Sequence, residues 1–299
     1  MSVKIGFIGS GNMAFALISG FIKSNLIPPE NITVTGKTGR SFPKYKNLNN
    51  AINTSLDNYK LFKTCNIIFY AAKPYQYDEI LKDLKQKSGE EKIDAKFDDV
   101  KKQSILCTTF VSVAAGIKIS KFDNFLEEIF GVFKSFHIIR CMPNTPCLIG
   151  QGCIAYAYNE DASLSETEKS QTNTVIELLK TCAPNAVEKV KESQISSICG
   201  LAGSGPAFIY TLIEAMSDAG VKNGLPRDVA TKFAAQTFSG AAGMVLETGK
   251  HTGELKDQVT SSGGTTIEGI FALEKAGGRN AIMEAVEAAT RRANELGKE

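Results

Sequence analysis

Val3-Lys-Ile-Gly-Phe-Ile-Gly-Ser-Gly-Asn-Met-Ala14 opens the chain with a short apolar run that passes directly into a glycine turn. Its pattern, Gly9-x-Gly11-x-x-Ala14, is that of a dinucleotide-binding turn. The first glycine makes the tight bend, the second lets a pyrophosphate approach the backbone, and the small third residue lets helix pack closely on strand. The match alone is common among proteins. Here Met13, Leu17 and Phe21 follow at helical spacing, so the strand, turn and helix that the motif requires are all present. A turn with a purely structural role is the plainer account that these neighbours weigh against.

A second strand, Ile32-Thr-Val-Thr35, decides between dinucleotides. In an NAD site a carboxylate beyond this strand accepts hydrogen bonds from the adenine ribose hydroxyls. From Asn31 to Leu56 there is no Asp or Glu, whereas Lys37, Arg40, Lys44 and Lys46 are basic and Gly36 and Gly39 provide turns. Guanidinium and ammonium groups with the Thr35 and Thr38 hydroxyls suit a 2′-phosphate, so Lys37 and Arg40 point to NADPH, with NADH as the alternative cofactor. A solvated basic loop has the same composition.

Outward from these motifs, strands expected at 3–8, 32–35, 66–71, 104–108, 136–140, 152–157 and 186–190 alternate with helical stretches at 13–24, 78–87 and 163–181. That is the β-α-β rhythm of an open, mostly parallel sheet. The stretch Lys82 to Lys102 carries seven Lys against six acidic residues and reads as a solvated helix end followed by a long inserted loop. From Glu192 onward nearly everything has helical spacing, with helices expected at 206–220, 227–247, 266–276 and 280–296. The chain thus divides into a Rossmann-like α/β domain over 1–191 and an all-helical domain over 192–299. Small residues inside these helices, such as Gly240-Ala-Ala-Gly243, imply close helix-to-helix approach, because glycine there costs about 1 kcal/mol relative to alanine. Four such helices have little sheet to bury themselves against, so two chains are expected to interlock through this domain as a homodimer; a monomer whose helices pack internally is the alternative.

The loop Thr260-Ser-Ser-Gly-Gly-Thr-Thr-Ile-Glu-Gly269 joins two of those helices. Hydroxyls at Ser261, Ser262, Thr265 and Thr266 and flexible backbone at Gly263 and Gly264 sit where a helix begins. There the unpaired N–H groups and the helix dipole attract a carboxylate or phosphate. An ordinary N-cap with a flexible approach is the competing account. In the first domain, Lys73 after the third long strand, Ala114-Ala-Gly116 after the fourth and Asn144 in the proline-held loop Arg140-Cys-Met-Pro-Asn-Thr-Pro146 lie where ligands of open sheets gather.

Composition excludes other classes. With 299 residues, 43% hydrophobic content and a net charge of +2, the chain has material for two cores and no basic stripe for nucleic acid. No apolar run suggests a membrane span and the N-terminus begins directly with a strand, so a cytoplasmic protein is expected. Seven cysteines without a C-x-x-C pair read as reduced packing residues. Two histidines, His137 and His251, supply little for a metal site or a Ser-His-Asp hydrolase. His137 suits a strand edge, and His251 lies in an interhelical loop.

In this order, Gly6-Phe-Ile-Gly-Ser-Gly-Asn-Met-Ala14, Ala72-Lys-Pro74, Ala114-Ala-Gly116, Arg140-Cys-Met-Pro-Asn-Thr-Pro146, Gly200-Leu-Ala-Gly-Ser-Gly-Pro-Ala207 and the 255–269 segment resemble pyrroline-5-carboxylate reductase. The resemblance spans nearly the whole chain. It implies a helical dimerisation domain, rings of dimers up to a decamer, and NAD(P)H-dependent reduction of 1-pyrroline-5-carboxylate to L-proline. By position it places dinucleotide contacts at Gly9, Ser10, Asn12, Met13, Asn58, Ala72, Lys73 and Ala115, beside Gly11 of the glycine turn itself. Substrate contacts fall at Ser261, Gly264, Thr265 and Thr266, and Thr266 and Lys73 are the residues expected to assist catalysis. The Lys82 to Lys102 region and Gly249 before His251 depart from the family pattern. A β-hydroxyacid dehydrogenase shares the two-domain plan but needs a lysine one helical step after its glycine motif, where this chain has Ile209.

Overall fold

The computed structural model describes residues 3–94, 106–131, 136–159 and 164–297, with 90–94 as backbone alone. Within it β1 (Ile5–Ile8), β2 (Ile32–Thr35), β3 (Asn53–Ser55), β4 (Ile67–Tyr70), β5 (Thr109–Ser112), β6 (His137–Pro143), β7 (Ile154–Tyr158) and β8 (Val187–Lys189) form one sheet in the order β3-β2-β1-β4-β5-β6-β7-β8. Neighbouring strands run parallel except β6 against β7. Both faces of the central strands are covered, which is why β4 is the unbroken apolar run Ile67-Ile-Phe-Tyr70. Its alternating side chains divide between two cores. Ile67 and Phe69 join Phe7, Leu17, Phe21 and Leu178 on one face; Ile68 and Tyr70 join Phe62, Phe110, Phe122 and Phe125 on the other. Each fully buried ring or branched chain contributes about 1.5–3 kcal/mol.

The flanking helices are α1 (Asn12–Lys23), α2 (Phe42–Leu48), α3 (Tyr59–Thr64), α4 (Tyr77–Asp94), α5 (Ile119–Phe130), α6 (Glu166–Lys180) and the short α7 (Ile195–Ile198). Sequence dictates their ends. α6 starts at a capping box in which the Ser165 hydroxyl accepts from the Glu168 N–H and the Glu168 carboxylate accepts from the Ser165 N–H. After a π-helical turn at Cys199–Gly203 come α8 (Gly205–Lys222), α9 (Arg227–Thr248), α10 (Thr252–Gln258), α11 (Thr265–Lys275) and α12 (Gly278–Leu296).

By contacts the chain divides into one compact unit running to Gly203 and taking back Thr290 onward, and a second from Ser204 to Ala289. The division expected near 191 thus differs from the compact boundary. Ile195 of α7 packs with Ala155 and Ala157 of β7, which keeps the first helical turns of the C-terminal region on the sheet. Beyond Ser204 the described chain buries only Ser217, Ala230, Ala234 and Ala293, while Phe233, Phe271 and Met283 are about two-thirds exposed.

Several elements depart from the reading of the sequence. The strand expected at 104–108 is at 109–112: Ser104 and Ile105 lie outside the described residues, and the Leu106 and Cys107 N–H groups donate to the Phe62 carbonyl instead of a ladder. The inserted loop expected within Lys82 to Lys102 is helical as far as Asp94, and 95–102 lie outside the described residues. Gly220 does not end its helix. It lets α8 approach α9, since a Cβ there would sit 3.0 Å from that of Ala230. The helical run Glu192–Lys222, which contains an 18-residue window of mean hydropathy 1.3, is long and apolar enough to cross a membrane by length and composition; its Gly, Ala, Ser and Pro residues hide that property from a search for bulky apolar runs.

Candidate active site

The glycine turn ends β1 with Gly9 at φ 103°, a region that L side chains rarely adopt. A Cβ on Gly9 would meet the Ala72 nitrogen at 2.7 Å and the Ala71 carbonyl carbon at 2.8 Å, so the turn lies flush against the end of β4. A Cβ on Gly11, in contrast, would meet nothing within 4 Å. Gly11 is the N-cap of α1 and offers no side-chain cap to the helix amides. The result is an uncapped N-terminus facing open space, as an anion site requires. Two side chains of α2 fix this turn from behind: Tyr45 OH and Lys44 Nζ both donate to the Gly11 carbonyl, at 3.2 and 3.3 Å. Lys44 also lies over the Phe15 and Tyr45 rings, and burial lowers the pKa of its ammonium.

From the turn a cleft of about 370 Å³ runs past Ser10, Gly36, Lys37, Leu56, Asn58 and Ala72 to the wall formed by Gln76, Glu79, Ile80 and Asp83. The buried Thr35 hydroxyl lies 3.0 Å from the Phe7 carbonyl and 2.5 Å from Asn58 Oδ1, anchoring the Asn58 amide at the end of the sheet. Ser10 and Ser41 hydroxyls bond to each other. The four basic residues of the loop take different roles. Lys46 Nζ donates to the Asn50 and Ile52 carbonyls, Lys44 holds Gly11, Lys37 pairs with Glu79 at 2.5 Å, and Arg40 is exposed with no ion-pair partner among the described residues.

Further along the same sheet edge, Val113 N–H donates to the Tyr70 carbonyl and Ala114 N–H to the Ser112 hydroxyl. The Ala114-Ala115-Gly116 turn is thereby held beside the end of β4. Lys73 is exposed, and its N–H donates to Gln76 Oε1 at the start of a 3₁₀ turn. On β6, buried Arg140 donates to Glu192 Oε1 at 3.0 Å, and the same oxygen accepts the Ile119 N–H at 2.7 Å. Asn144 donates to the Ala202 carbonyl and accepts from the Cys153 N–H. Neither histidine belongs to these groups. His137 starts β6, buried edge-on to Tyr158, and burial lowers its pKa; His251 caps α10, its Nδ1 accepting the Gly253 N–H at 3.1 Å.

In the second unit, Gly264 is the N-cap of α11 and, like Gly11, provides no side-chain cap. Gly263, at φ 63°, turns the chain into it, and the Gly264 N–H donates to the Ser261 carbonyl at 3.1 Å. Ser261 Oγ lies 2.2 Å from where a Gly264 Cβ would be, so the hydroxyl occupies the space that glycine leaves. Residues 260–267 carry no titratable side chain.

The cleft thus brings together Gly9, Ser10, Gly11, Lys37, Asn58 and Ala72. Asn12 and Met13 open α1 beside it, while Arg40, Lys73 and Ala115 do not line it. Ser261, Gly264, Thr265 and Thr266 form the second group, around the start of α11. Glu79, Gln76 and Asp83 were not anticipated, because α4 reads from sequence only as a charged helix. Tyr45 could have been found by asking what packs against Phe15, and Lys44, read from sequence as one of the basic residues of the loop, bonds the Gly11 carbonyl.

A mostly parallel sheet with β1 beside β4, a glycine turn that tolerates no side chain and a cleft at the strand ends define a dinucleotide-dependent oxidoreductase of the Rossmann type. The family model for NADP oxidoreductase, coenzyme F420-dependent, matches residues 4–95, and that for pyrroline-5-carboxylate reductase dimerisation matches 192–296. The chain belongs to the pyrroline-5-carboxylate reductase family. It is 38% identical over 295 residues to pyrroline-5-carboxylate reductase 3 of Danio rerio, covering 99% of this chain and 92% of that protein. Identity is also 38%, over 297 residues, to the pyrroline-5-carboxylate reductase of Methanosarcina acetivorans, covering 99% of this chain and 98% of that one. The crystal structure of Plasmodium falciparum pyrroline carboxylate reductase with NADP bound superposes with a TM-score of 0.77 at 31% identity, covering 99% of this chain and 98% of that one.

Proposed function

We propose that this chain reduces the C=N bond of 1-pyrroline-5-carboxylate to form L-proline, the last step of proline biosynthesis, with NADPH as the donor and NADH as the secondary one. One observation carries the reading: the same chain holds a dinucleotide turn closed to any side chain at Gly9 and a helix start capped by Gly264 whose loop, 260–267, has hydroxyls and no acid or base. When bound, the reduced nicotinamide supplies the hydride; the protein's part is placement.

Gly9, Ser10, Gly11, Asn12 and Met13 take the pyrophosphate at the uncapped amides of α1. Asn58 and Ala72 border the ribose, and Lys37 and Arg40 meet the 2′-phosphate. Ala115 and Lys73 serve the nicotinamide end, where the lysine adds positive charge. The first N–H groups of α11 at Thr265 and Thr266, with Gly264 and the Ser261 hydroxyl, grip the substrate carboxylate. The Thr266 hydroxyl hydrogen-bonds the ring nitrogen and holds the proton that makes the imine electrophilic. No stronger acid is required if the imine arrives protonated.

The apolar surface of the second unit supports a homodimer built through the helical domain, with rings of dimers as the larger assembly. Phe233, Phe271 and Met283 are exposed and a Cβ on Gly240 or Gly243 would meet nothing, so the close approach that these small residues permit is made with another copy. A second chain, not lipid, then covers α8. Replacing Phe271 by aspartate should shift wild-type dimers or decamers toward monomers in sedimentation velocity, and unchanged sedimentation would remove this interface. Seven free cysteines fit a cytoplasmic, reducing setting.

The test of the activity is the loss of reduced-nicotinamide absorbance with the cyclic imine acid and each cofactor in turn. Turnover, faster with NADPH, is the expected result; no oxidation above background with either cofactor would end the proposal.

A further inference from the structure

Resting on the dinucleotide reading, we infer that Glu79 is a specificity-determining residue for the cofactor: it pairs with Lys37 across the cleft, and so competes with the 2′-phosphate for that cation. Lys37 follows β2 on one side of the cleft, Glu79 lies in the first turn of α4 on the other, and their side chains meet at 2.5 Å across it. Dinucleotide folds seat the adenosine beyond the end of β2. A 2′-phosphate at Lys37 must therefore share the ammonium with the Glu79 carboxylate, whereas a cofactor with a free 2′-hydroxyl makes no comparable claim on it.

Two neighbours single out Glu79. Asp83, the other carboxylate lining the cleft, is already matched by Lys87 at 3.1 Å, and Lys87 also bonds Asp57. Arg40 has no ion-pair partner among the described residues, so it remains available to the phosphate in either state of the pair. Glu79 in this way moderates a preference for NADPH that Lys37 and Arg40 would otherwise set alone. Both partners are more than half exposed, so the effect is that of a surface ion pair.

The test compares NADPH and NADH dissociation constants, by quenching of intrinsic fluorescence or by calorimetry, for wild type, Glu79→Gln, Lys37→Met and the double variant. Glu79→Gln should raise the preference for NADPH over NADH by about two- to fivefold, and Glu79→Asp, with a shorter reach, should give part of that gain. In the Lys37→Met background the Glu79 substitution should leave the ratio unchanged, because Glu79 acts through Lys37. An unchanged ratio in Glu79→Gln, or an equal gain in both backgrounds, overturns the inference while both cofactors still bind. Failure of wild type to bind either cofactor would overturn the dinucleotide reading itself.

Discussion

Replacing Gly264 by alanine separates the chemistry of the substrate loop from its fold. Gly264 has φ −85° and ψ 173°, an extended conformation open to any L residue, so the added methyl carries no backbone strain. It would lie 2.2 Å from Ser261 Oγ, and that short, rotatable hydroxyl must swing away. As an N-cap, alanine is poorer than glycine by roughly 1 kcal/mol, a loss the fold tolerates. If Ser261 donates to the substrate carboxylate, losing that charge-assisted bond costs about 1.5–3 kcal/mol. At about 1.4 kcal/mol per decade this raises KM for the imine acid roughly ten- to a hundredfold. The assay is steady-state turnover at saturating NADPH, with cofactor affinity and thermal unfolding measured alongside. Ser261→Ala should reproduce the KM effect, and the double variant should be no worse than Ser261→Ala alone, because both changes remove one contact. A KM within about twofold of wild type in the folded Gly264→Ala protein, or additive effects in the double variant, would refute the assignment.

Gly9→Ala acts differently. With φ at 103° and the Ala72 nitrogen 2.7 Å from the new methyl, it should lower stability by about 1–3 kcal/mol and weaken binding of both cofactors; unaltered binding would show that the turn is not the pyrophosphate site. Thr266→Ala should reduce kcat far more than NADPH affinity, and equal turnover would remove its role at the ring nitrogen. Burial pushes the Cys147 thiol to about 12 and Cys182 to about 11 from the ordinary 9.0. Their protons are held more tightly folded than unfolded, so this contribution is whole below the unfolded value and is lost as pH rises from 9.0 toward the folded values. Denaturant unfolding across that range should show stability falling, less steeply in a Cys147→Ala, Cys182→Ala variant; identical slopes would contradict the burial argument.

The Rossmann half was legible because its signals are local. β1, Gly9, Gly11 and the helical spacing of Met13, Leu17 and Phe21 lie within one stretch, and β4 is a run that only a doubly covered strand would carry. Short strand β3, Asn53-Thr-Ser55, escaped because it has no apolar residue and is defined by pairing with β2. The 104–108 strand was displaced because Cys107 and Thr108 are as apolar or β-branched as the residues that follow, and only the bonds to Phe62 and Asn66 show where the ladder starts. The substrate loop could be located from its glycines and hydroxyls. Partners such as Glu79 with Lys37 across the cleft, and Glu192 with Arg140 elsewhere, are separated by 42 and 52 residues and leave no periodic trace. The role of His251 was missed for a related reason: a histidine N-cap accepts through Nδ1, and that geometry has no sequence signature beyond the residue itself.

The central claim is that the amides opening α11, with Ser261 and Thr266, capture the carboxylate and ring nitrogen of a five-membered imine acid. A crystal structure with NADP and L-proline bound tests it most directly. The account predicts the proline carboxylate within hydrogen-bond reach of the Thr265 and Thr266 N–H groups and its nitrogen beside the Thr266 hydroxyl. Proline bound away from the 261–266 loop, with that loop empty, would contradict it.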